Sequence, residues 1–82
     1  MARLEGAYLP NAYFFSTDLS GADLSGSDLA FAHFYSVNLE GADLSEADLS
    51  DIFWYSTTCP DGENSDNTGY TCENNLTPLF GE

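Results

Sequence analysis

Few side chains in this 82-residue chain are equipped for chemistry: one histidine, His33, two cysteines, Cys59 and Cys72, and a regular series of carboxylates. His33 is the obvious general base, yet it is set among Phe and Tyr rather than beside a Ser–Asp arrangement. The carboxylates Asp18, Asp23, Asp28, Asp43 and Asp48 recur singly in polar surroundings, where nothing moves a pKa toward 7 for acid–base work. No Gly-rich loop is spaced to cradle a phosphate. The expectation is a non-catalytic protein with no cofactor. No metal site is expected either, because two cysteines cannot complete a four-cysteine zinc site and His33 is distant from both in sequence. The run Asp61 to Asp66 has the oxygen density that hard cations favour, without the EF-hand order of acids or its closing Glu. An extracellular cation-binding module is therefore kept as one alternative.

Cys59 and Cys72 bracket a stretch rich in turn formers. A disulfide closing that loop would constrain the unfolded chain by about 3 kcal/mol, and two buried free thiols are the other reading. A disulfide implies an oxidising, extracytoplasmic compartment such as periplasm, lumen or medium. No signal peptide is visible, so a mature form restarted at Met1 is the expectation that reconciles the two. Fourteen acidic residues face a single basic one, and the net charge of −13 excludes nucleic-acid binding through a basic footprint. No apolar run approaches the roughly eighteen residues of a membrane span. An aromatic content of 15% argues against the disorder that such a charge would otherwise suggest.

The elements that position these residues follow from a repeat. Leu4, Leu9, Phe14, Leu19, Leu24, Leu29, Phe34, Leu39, Leu44, Leu49 and Trp54 recur every five residues, each preceded by a smaller residue two places earlier. A helix advances about 100° per residue and would smear these groups around its circumference. A flat strand would present them to alternate faces, because five is odd and side chains alternate with period two. The pattern works only if the chain bends between repeats. Four bends of about 90° close a square coil of twenty residues, and the sequence shows that longer period as well. Ala12–Ser16, Ala32–Ser36 and Ile52–Ser56 are three versions of one segment, spaced by twenty. Coils about 4.8 Å apart would pair backbone amides above and below, and roughly three of them give a short prism.

The segments Ala-Asp-Leu-Ser-Gly, Ala-Asp-Leu-Ser-Glu and Ala-Asp-Leu-Ser-Asp, within a run of repeats from Ala2 to Thr57, resemble the pentapeptide-repeat family. The resemblance implies an all-β fold, a right-handed quadrilateral parallel β-helix of about three coils, with the Leu/Phe and small positions inside. The expected division is residues 1–58 as β-helix and 59–82 as a C-terminal disulfide loop and cap. Leu76, Leu79 and Phe80 would fold over the last coil, since solenoid ends need covering.

The inner columns are then Leu4/Leu24/Leu44, Leu9/Leu29/Leu49, Phe14/Phe34/Trp54 and Leu19/Leu39/Cys59. One outer face collects Tyr13, Phe15, His33, Tyr35, Phe53 and Tyr55, a candidate interaction face. Its partner would be a protein or a second copy, giving a dimer. Aromatic ladders that only stabilise neighbouring strands are the plainer account. Elsewhere Asp23 stacks with Asp43, Asp28 with Asp48 and Asp18 with Asn38. These columns read as a solvated surface, as loose cation sites, or as a mimic of DNA phosphates. The family includes inhibitors and protectors of type II topoisomerases that resemble DNA, so a topoisomerase-directed mimic is the other alternative function.

Overall fold

The computed structural model describes residues 3–72. Its regular elements are three short strands, β1 (Tyr13–Phe15), β2 (His33–Tyr35) and β3 (Phe53–Tyr55), followed by a 3-10 turn at Ser65–Asn67. The strands form one parallel sheet in the order β1-β2-β3, pairing Phe14 with Phe34 and Phe34 with Trp54. Three further ladders of single bridges keep the same interval of twenty: Arg3–Asp23–Asp43, Tyr8–Asp28–Asp48 and Asp18–Asn38–Thr58. The chain is thus a β-helical solenoid, each stretch hydrogen-bonded to the stretch twenty residues away.

The bonds show why the motif suits this path. In each ladder the Leu N–H donates across to the next coil, as Leu24 does to the Asp43 carbonyl at 2.8 Å. The residue two places before it accepts the return bond, as when Asp43 N–H donates to the Ala22 carbonyl at 2.9 Å. After each of these Leu residues the chain turns a corner through a tight turn closed onto the Leu carbonyl. Ala22 N–H to Leu19 O (3.0 Å) and Ala42 N–H to Leu39 O (2.8 Å) are examples. The third residue of such a turn has positive φ, the region that a type II turn requires. A positive φ falls on every fifth residue from Gly6 to Ser56, on four glycines and on seven residues that carry side chains. Phe31 (φ 62°) and Glu46 (φ 59°) bend the chain just as Gly26 (φ 67°) does. Pairing with neighbouring coils holds them there, against an intrinsic cost of about 1 kcal/mol each.

Within the solenoid Leu19, Leu24, Leu29, Phe34, Leu39, Leu44 and Trp54 are buried, together with Ala22, Ala32, Val37 and Ala42. Leu4, Leu9, Phe14 and Leu49 are only half-buried and pack against that core. The inner aromatic column Phe14–Phe34–Trp54 has centroid spacings of 5.1 Å and tilts of 41° and 46°.

The segment after Thr58 packs on the last stretch of coil. Gly41 N–H donates to the Pro60 carbonyl, so cross-coil pairing reaches residue 60. Ser65, fully buried, donates its N–H to Thr57 O at 2.7 Å and accepts from Thr57 N–H at 3.1 Å through its hydroxyl. Cys59 and Cys72 form a disulfide, both buried, with a Cα–Cα distance of 5.4 Å. Leu76, Leu79 and Phe80 lie outside the described residues, as does Ala2.

Candidate interaction surface

In β1, β2 and β3 the middle residue points inward, and the strand alternation sends its two neighbours outward. Because the strands pair in register, these neighbours stack into two columns. Tyr13, His33 and Phe53 form one, with ring centroids 4.1 and 4.5 Å apart and planes within 3° and 11° of parallel. Phe15, Tyr35 and Tyr55 form the other, with spacings of 4.9 Å and planes within 6° and 4°. The columns stand side by side, Tyr13 and Phe15 at 6.1 Å and His33 and Tyr35 at 6.2 Å. Tyr13 and Phe15 are each 62% exposed, Phe53 and Tyr55 nearly half exposed. His33 and Tyr35 are half-buried, because a middle rung has a ring against both faces. His33 Nδ1 is buried without a hydrogen-bond partner among the described residues.

The stripe carries no acidic side chain, but carboxylates border it. On one flank runs the corner Asn11, Phe31 and Asp51, all exposed. On the other run Ser16, Ser36 and Ser56, followed by the ladder that begins at Asp18. Asp66 closes the upper end of that flank, accepting from Ser56 N–H at 3.0 Å and from the Ser56 hydroxyl at 3.1 Å. The chain's one basic side chain, Arg3, pairs with Glu5 at 3.3 Å instead.

Tyr70 extends the aromatic surface and was not foreseen. It lies in the turn-rich loop, held by its N–H to Ser65 O at 2.7 Å, and no periodicity marks it. With Ile52, Phe53, Trp54 and Tyr55 it lines a pocket of about 260 Å³. Trp54 itself is buried, and its indole N–H lacks a partner among the described residues.

The Asp columns have a local task. Asp18, Asp23, Asp43 and Asp48 each accept, through Oδ1, the N–H and the hydroxyl of the Ser two places on, at 2.9–3.1 Å and 2.6–2.7 Å. The Ser hydroxyl first, then the Ser amide, holds Asp18, Asp23 and Asp48 below the ordinary carboxylate range. The Asp-Leu-Ser spacing is a clamp on each turn, a signal present in the sequence but read there only as charge. In the loop, Asp61 Oδ1 accepts from Glu63 N–H (3.0 Å) and Asn64 Oδ1 from Asp66 N–H (2.8 Å), so these oxygens serve the turn. Among the described residues no group of three or more His, Cys, Asp or Glu is placed to hold a metal.

A solenoid of parallel ladders at a fixed interval defines a β-helical repeat protein. The profile described as pentapeptide repeats matches in eight copies, over residues 2–30 and 12–51. The chain belongs to the pentapeptide-repeat family. The segment Ile52–Ser56 lies beyond that match but pairs in register through β3. Neither the curated proteins nor the solved structures include a match to this chain.

Proposed function

We propose that this protein is a non-catalytic structural and interaction module, a right-handed four-sided β-helix of about three coils closed by the disulfide loop that begins at Cys59. It receives a protein partner, or a second copy, on the stripe formed by Tyr13, Phe15, His33, Tyr35, Phe53 and Tyr55. The observation that carries this is the pair of stacked aromatic columns left open to solvent on a protein of net charge −13. An exposed contiguous apolar patch on such a surface marks an interaction site. The rows Asp23–Asp43 and Asp28–Asp48 are two carboxylates long, which favours a protein partner over mimicry of a DNA duplex.

Sedimentation equilibrium of the wild type and of Phe15→Ser/Tyr35→Ser tests the second copy as occupant. A dimer that the double variant loses supports it. A monomer in both removes self-association and leaves the face to another protein.

A further inference from the structure

We propose that the aromatic stripe is a docking site for a basic amphipathic helix of a partner protein. This rests on the reading of the stripe as an interaction surface and adds the chemistry of the occupant. Charge complementarity selects it. The stripe offers apolar rings two columns wide, while Asp51 stands at one flank and Asp18 and Asp66 at the other. A second copy brings the same carboxylates and the same net charge of −13, so like charges meet at the rim. A helix with a Leu stripe flanked by Lys brings the opposite sign to both flanks, laying its Lys stems over the ring edges with the ammonium groups in water. The size also fits. The Phe15–Tyr35–Tyr55 column rises in two steps of 4.9 Å, close to two turns of a helix at about 5.4 Å each, the span of positions i to i+7.

The sign of the salt dependence separates the two occupants. Salt screens the repulsion between copies and promotes a dimer, but it screens the attraction to a basic helix and weakens that complex.

Three synthetic helical peptides titrated calorimetrically into the wild-type protein test the inference: a Leu stripe flanked by Lys, the same stripe flanked by Glu, and the Lys peptide with Leu replaced by Ser. Only the Lys–Leu peptide should bind, and more weakly as salt is raised. Phe15→Ser/Tyr55→Ser should weaken it by at least about tenfold, and Asp18→Asn/Asp51→Asn by about three- to tenfold. Circular dichroism checks that the variants keep the fold. Equal binding of the Glu–Leu or the Lys–Ser peptide overturns the proposal, as does binding of none. If no peptide binds but the protein dimerises through the stripe, the basic partner is rejected and the interaction surface stands. If neither occurs, the basic partner and the second copy are both rejected.

Discussion

Asp23 accepts two hydrogen bonds from Ser25 through a single oxygen, Oδ1, from the backbone N–H at 3.1 Å and from the hydroxyl at 2.7 Å. Each repetition of this pair ties a ladder residue to the turn that follows it. Both bonds favour the ionised carboxylate, so the folded-state pKa is depressed. The stabilisation is therefore present above the unfolded value of about 3.9 and is lost as pH falls through the lower folded value. Ser25→Ala/Ser50→Ala should melt below the wild type at neutral pH, and the gap should close in acid. Carbon-detected NMR titration should find Asp23 and Asp48 ionised below the ordinary carboxylate range. Titration at the ordinary value would remove the clamp as a stabilising device.

Corner conformation makes a second, opposed pair of outcomes. Gly6, Gly26 and Glu46 occupy equivalent corners, with φ of 67°, 67° and 59°. A Cβ at Gly26 would meet nothing within 4 Å, so strain in the backbone is the whole penalty. Gly26→Ala should lower the unfolding free energy by about 1 kcal/mol. Glu46→Gly should raise it by about 0.5 kcal/mol, since relief of strain outweighs the added freedom of the unfolded chain. Urea melts of both variants check the signs.

Interior space sets a third expectation. Ala22 is buried and leaves no room for a larger group beside Leu24. Ala22→Leu should destabilise by about 1–3 kcal/mol through overpacking. The same change at Ala7, which is half-buried, should cost less. Equal losses at the two positions would contradict a filled interior.

Removal of the Cys59–Cys72 bond should lower stability by about 2–4 kcal/mol, because the loop it closes gains freedom in the unfolded chain. Urea unfolding with and without reductant, followed through Trp54 fluorescence, reads the difference. Cys59→Ala/Cys72→Ala should match the reduced wild type.

The coil, its inward residues and the outward positions of the aromatic stripe could be read from spacing alone, since an odd apolar period admits few paths for the backbone. The conformation of the corners could not. Nothing about Phe31 or Glu46 as residue types announces a left-handed backbone; pairing with adjacent coils imposes it. Asp23 and Ser25 stood in plain view, but the bond between them depends on a turn whose geometry the alternation of polar and apolar residues does not specify. The near-parallel stacking of Tyr13, His33 and Phe53 is likewise a property of strand register, which fixes the vertical distance between rungs. Tyr70 joins the surface through a loop without periodicity, and its place follows from one backbone bond to Ser65.

Pairing at an unbroken interval of twenty, from the Arg3–Asp23 bridge to Asn38–Thr58, gives the molecule a quantum of length. Inserting a single residue would turn every later Leu out of the interior. Inserting five would keep the interior apolar but rotate the later segments by one ladder, parting Tyr13 and Phe15 from His33 and Tyr35 and erasing the stripe while sparing the fold. Only whole additions of twenty would lengthen both together, so growth of this protein in evolution or by design is free in one unit alone.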